Sequence, residues 1–160
     1  GLLTGFVYAV VQMLLGFKTV SAFFMPGSDS YMVLWKAVCV CLIDYIIAYT
    51  VLGLGGIFRN KIKNPSVSLC VGSIFALSLR YIAHIISGFI FFGTWADWFF
   101  SQDGFTLGAK ILEKFSGQGL AFLYSVIYNG LYMIPEIIIT AIVALIIGRV
   151  PQISGRKNTK

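Results

Sequence analysis

The sequence predicts an all-α fold, a polytopic transmembrane helical bundle, and three observations carry that prediction. The chain has 160 residues, of which 58% are hydrophobic and 11% charged, where a soluble domain carries about 25% charged residues. Its apolar surface exceeds what one small core can bury, so lipid is the expected solvent. The apolar residues are gathered into segments close to the roughly 20 residues that a bilayer-crossing helix needs. Strict two-residue alternation, the mark of a membrane barrel, is absent.

Four spans are expected, at about 2–17, 34–58, 67–92 and 120–147. The first is short and opens directly on an apolar run at Gly1, without the basic flank and cleavage site of a signal peptide, as expected of an N-terminally truncated membrane protein. The second ends in the glycine-rich "LGLGGIF" (52–58), which suits close helix packing; a phosphate loop would need a strand before it and a helix after it. The third is capped by aromatics. The link that follows, 93–119, carries Trp95, Trp98, Phe99, Phe100, Phe105 and Phe115. It reads either as an interfacial aromatic belt or as a short amphipathic element that covers something at the outer face. The fourth contains Pro135.

Orientation follows from the links. Arg59, Lys61 and Lys63 lie between the second and third spans with no acid nearby, and Arg149, Arg156, Lys157 and Lys160 make 148–160 a basic tail. The other links mix acids with bases: Lys18 with Asp29, and Asp97, Asp103 and Glu113 with Lys110 and Lys114. Excess Lys and Arg mark the cytoplasmic side, so the expected location is the cell membrane, multi-pass, with a cytoplasmic C-terminus. The net charge of +6 is spent at span ends rather than along an aromatic-interleaved stripe, which argues against a nucleic-acid partner. Cys39, Cys41 and Cys70 sit in apolar segments without metal or disulfide spacing, and the single histidine cannot complete a metal site.

Ionisable groups inside a span are costly and by default functional. Here they are Asp44, Arg80 and Glu136, accompanied by His84, Asn129 and several tyrosines. Asp44 lies about ten residues, ~15 Å, from the outer start of its span. Arg80 and His84 lie at a comparable depth below Phe92, with Gly88 between His84 and Phe92 on the same face, and Tyr124 and Asn129 occupy the outer third of the last span. Three helices thus bring polar groups to one level in the outer half of the membrane, as an outward-facing solute pocket requires. Each residue also has a structural reading. Asp44 and Arg80 could form a buried ion pair, His84 could be a packing residue, and Asn129 could bridge helices. Glu136, beside Pro135, reads as a cap for carbonyls freed by the proline, outside the pocket.

A carboxylate at that depth favours a cationic solute. Tyr45, Phe92 and Trp95 offer faces for a flat positive ring, and Tyr124 and Asn129 offer a donor and an acceptor for a heterocycle's edge. The residues alone reach a small polar solute. An intramembrane hydrolase finds no support, because Ser125 and His84 lack any nucleophile motif.

At these same residues the chain resembles the thiamine-specific S components (substrate-binding membrane subunits) of energy-coupling factor (ECF) vitamin transporters. The stretches that carry the resemblance are "GLLTGFVYAVVQMLLG" (1–16), "LIDYIIAYTVLGLGGIFRNK" (42–61), "LRYIAHIISGFIFF" (79–92) and "YSVIYNG" (124–130). The resemblance implies a six-helix fold of which four spans are present, and a thiamine site on Asp44, Tyr45, Arg80, His84, Phe92, Trp95, Tyr124 and Asn129. It implies that the acid engages the cationic ligand and that Tyr124 and Asn129 read the aminopyrimidine. The family carries glutamate or lysine in some members where this chain has Asp44 and Arg80, which preserves charge. The implied function is high-affinity thiamine binding within an ECF-type ABC vitamin uptake transporter, with no enzyme activity and no cofactor. The implied partners are a transmembrane coupling (T) subunit and two ATPase subunits. The rival reading is a stand-alone secondary transporter or exporter of a small cationic solute, with Asp44 or Glu136 carrying protons.

Overall fold

A computed structural model describes residues 1–150; Arg156, Lys157 and Lys160 of the expected basic tail lie outside the described residues. The described residues are all-helical, with no strand among them, as the composition predicts. Helix α1 (Leu2–Leu15) stops at Gly16, and α2 (Phe17–Ala22) resumes immediately. The segment Leu34–Phe58 is one continuous helical run. It opens as α3 (Leu34–Val40), widens to a π-helix over Cys41–Ile47, returns to α-geometry as α4 (Ala48–Thr50) and tightens to a 3₁₀ helix over Val51–Phe58. Helix α5 spans Pro65–Phe91, α6 Ala96–Phe100, α7 Gly108–Lys114 and α8 Gly117–Ile147. Leu34–Phe58, α5 and α8 are long and apolar enough to cross a membrane, and α1 is apolar but shorter.

The boundaries have local causes. Asn64 caps α5, its Oδ1 accepting from the backbone N–H groups of Ser66 (3.0 Å) and Val67 (3.3 Å), with Pro65 in the first helical position. Pro135 sits within α8 without ending it. A proline there removes one helical hydrogen bond.

The long helices alternate in direction. A Cβ at Gly1 would meet the Gly53 carbonyl, one at Gly72 the Gly55 carbonyl, and one at Gly148 the Ser66 backbone. The start of α1, the end of Leu34–Phe58, the start of α5 and the end of α8 therefore share one end of the bundle, beside the basic link 59–63. Glycine at 55 and 72 is what lets these backbones touch, as the glycine-rich run suggests. At the opposite end, the link after α5 folds back onto α8. Ala96 and Phe100 are buried with Leu120 and Tyr124 in one apolar cluster, and Phe99 packs edge-on against Tyr124 (5.4 Å) and Tyr128 (5.8 Å). Of the two readings of the aromatic link, a covering element describes Phe99, Phe100 and Phe105. Trp98 keeps over half of its surface exposed.

Candidate functional site

Helices α5 and α8 are zipped together by polar side chains aimed at backbone. Tyr81 donates to the Val126 carbonyl (2.7 Å) and Ser125 to the Ile85 carbonyl (2.7 Å). Asn129 donates to the His84 carbonyl (3.2 Å) and the Ser125 carbonyl (2.8 Å). Gly88 makes this approach possible, since a Cβ there would overlap the Ser125 hydroxyl and lie 3.0 Å from the Asn129 amide. On α5, Arg80, His84, Ser87 and Gly88 follow the helical period and so share one face.

That face forms one wall of a cavity of about 960 Å³. All eight expected site residues, Asp44, Tyr45, Arg80, His84, Phe92, Trp95, Tyr124 and Asn129, lie on its lining. Its rim carries residues 29–33 and Thr94, Trp95 and Trp98, so it opens at the end opposite the basic link. From Phe92 at the rim, Arg80 lies ~18 Å down the axis of α5 at 1.5 Å per residue.

The charged groups at its floor form a connected chain. Ser87 Oγ donates to Asp44 Oδ2 (2.7 Å), and His84 Nδ1 lies 2.9 Å from Asp44 Oδ1. On the other side of the imidazole, Arg80 Nε donates to His84 Nε2 (3.3 Å). Arg80 Nη1 pairs with Glu136 Oε1 (2.7 Å), and Nη2 donates to the Tyr49 hydroxyl (3.1 Å), with the guanidinium 4.4 Å from the centre of that ring. Arginine has only donors, so Nε2 must offer a lone pair and the imidazole proton must sit on Nδ1. His84 thus donates from Nδ1 to Asp44. Glu136 offsets Arg80, and Asp29 and Lys36 are exposed lining residues of opposite charge. The Asp44 carboxylate, 20% exposed, faces the cavity with no Lys or Arg within salt-bridge distance among the described residues.

Several partners differ from the sequence expectation. The alternative structural reading, an Asp44–Arg80 ion pair, does not form: Arg80 goes to Glu136, and Asp44 takes His84 and Ser87. Glu136 does not cap carbonyls beside Pro135. Asn129 spends its donors on α5 and α8, and its Oδ1 accepts from Tyr132, so its amide bridges helices before it can read a ligand. Tyr124 makes no side-chain hydrogen bond among the described residues and belongs both to the cavity lining and to the apolar cluster under the link. Phe92 packs against Phe23 with ring centres 6.3 Å apart, and Trp95 stands edge-on to Trp98 at 5.7 Å. Ser87, Tyr49 and Tyr132 were not singled out as site residues. Ser87 was detectable as a polar side chain three positions beyond His84 on the same face. Tyr49 was hidden, because the π-turn that brings it under Arg80 has no clear sequence mark.

Comparison with known proteins adds the family. The family model described as thiamine transporter protein matches residues 1–101. The chain is 34% identical over 111 residues to the thiamine transporter ThiT of Bacillus subtilis (strain 168), a match covering 64% of this chain and 48% of that protein. The chain thus spans about half the length of the curated relative it matches. No solved structure gives a significant match. With its bilayer-length apolar helices, this is a multi-pass membrane protein, and the chain belongs to the thiamine transporter protein family.

Proposed function

We propose that this chain forms the solute-binding part of a high-affinity thiamine uptake protein. In this reading it is the S component of an ECF-type transporter, energised by a transmembrane coupling subunit and two ATPase subunits and not itself an enzyme. The observation that carries the reading is the Asp44 carboxylate at the floor of an aromatic cavity, with no Lys or Arg within salt-bridge distance among the described residues. Thiamine joins a permanently cationic thiazolium to a flat aminopyrimidine. Asp44 is placed to offset the thiazolium charge, and aromatic faces at Tyr45, Phe92 and Trp95 suit a positive ring. The Tyr124 hydroxyl, without a hydrogen-bond partner among the described residues, can hydrogen-bond the aminopyrimidine edge, and the Asn129 carbonyl oxygen retains acceptor capacity beside it. A cytoplasmic position for the basic link 59–63, which the excess of Lys and Arg favours, would open the cavity outward, as capture of an external vitamin requires.

The charge on the solute keeps the secondary-transporter reading testable. Reconstitution into proteoliposomes separates the two: the proposal expects thiamine accumulation only with the coupling subunit, the ATPases and ATP. Accumulation driven by a proton gradient without those partners would replace it with the stand-alone carrier.

A further inference from the structure

We infer that Glu136 is a positioning residue for solute charge. It lies off the cavity and offsets the charge of the Arg80 guanidinium so that the Asp44 charge remains available to a cationic ligand. This rests on the thiamine-binding reading of the same cavity. Glu136 is not part of the lining, whereas Arg80, His84 and Asp44 all are. Its Oε1 lies 2.7 Å from Arg80 Nη1 and is the only carboxylate oxygen within salt-bridge distance of Arg80 among the described residues. The guanidinium is side-chain buried, 11% exposed, and a buried cation without a counter-charge seeks the nearest anion. That anion is Asp44, which already reaches Arg80 through the His84 ring.

Removing the Glu136 charge therefore changes the site without touching the ligand. Arg80 then shares its charge with Asp44, and the cavity floor changes from net negative to neutral. A cationic solute loses its electrostatic partner, while an uncharged solute of the same shape does not. The Tyr49 ring and hydroxyl keep the guanidinium near its present place, so the effect is one of charge balance rather than a displaced side chain.

The test is calorimetric titration of the intact purified protein with thiamine and with the analogue in which an uncharged thiophene replaces the thiazolium. Glu136→Gln should weaken thiamine about tenfold or more, as expected for a unit charge several ångströms away at partial burial. It should leave the neutral analogue within about twofold. Glu136→Asp should largely restore thiamine, and Arg80→Gln combined with Glu136→Gln should regain the preference for thiamine over the analogue. The double variant buries no unpaired cation, so it carries the test even where the single variant folds poorly. Equal weakening of both ligands by Glu136→Gln, or a double variant that has lost the preference, overturns the inference as a structural effect. Unchanged thiamine binding in Glu136→Gln, with binding lost in Asp44→Asn, overturns it while leaving the proposed function standing. Failure of the unaltered protein to bind thiamine removes both.

Discussion

Asp44→Asn isolates the charge at the cavity floor with little change of shape. A ligand cation about 4 Å from the carboxylate, at an effective dielectric constant of about 20, is worth roughly 4 kcal/mol. Asparagine keeps a dipole there, so the expected loss is about 2 to 4 kcal/mol, or roughly 30- to 1000-fold in Kd. The local hydrogen bonds survive the exchange. The amide oxygen can accept from His84 Nδ1, now 2.9 Å from Asp44 Oδ1. The Ser87 hydroxyl, which donates to Oδ2 at 2.7 Å, can turn to accept from the amide nitrogen instead. Stability should therefore fall by no more than about 1 kcal/mol. Titration with thiamine and its neutral thiophene analogue, with thermal unfolding alongside, reads all three quantities. A loss shared equally by both ligands would refute the reasoning, because it would make Asp44 a structural acceptor rather than a charge partner.

Asn129→Leu should destabilise the protein by about 1–3 kcal/mol, since it leaves the His84 carbonyl and the Tyr132 hydroxyl without the partner they have now; thermal unfolding checks this, and an unchanged Tm would return Asn129 to a ligand-reading role alone. Tyr124→Phe should leave the Tm unchanged and weaken thiamine more than analogues lacking the pyrimidine amino group, as competition binding would show. Gly88→Ala should cost about 1–3 kcal/mol of stability by forcing α5 from α8 at Ser125, and a neutral result would mean that the helices are not in contact there. Single cysteines at Lys61 and Gln102 should react with an impermeant reagent from opposite faces of the membrane; labelling from the same face would overturn the single crossing by α5 between them.

What was legible in the sequence was legible because of period. Arg80, His84 and Gly88 repeat at helical spacing in an apolar segment, so their common face and depth could be read before any coordinates. Asp44 could be matched to that depth by counting residues from the end of its span. The partner choices were not legible, for two physical reasons. The π-turn at Cys41–Ile47 adds a residue to one turn, so Tyr49, which an α-helix would rotate by about 140° from Asp44, joins the same side. Counting along α8 placed Glu136 below the pocket, but depth does not say how far a long arginine reaches, and Arg80 reaches it at 2.7 Å. Asn129 is a third case: the sequence shows a polar amide at the right level, and only the distance between α5 and α8, set by Gly88, decides that its donors are used in bridging. The cover formed by Phe99 and Phe100 over Tyr124 likewise depends on how the link folds back, which its aromatic content alone left open.

The central claim is that this cavity binds a cationic vitamin through Asp44, and calorimetric titration of thiamine into the intact purified protein in detergent tests it most directly. The account predicts saturable binding of one thiamine per chain, tighter than that of the uncharged thiophene analogue. Absence of binding, or equal affinity for the two, would contradict it.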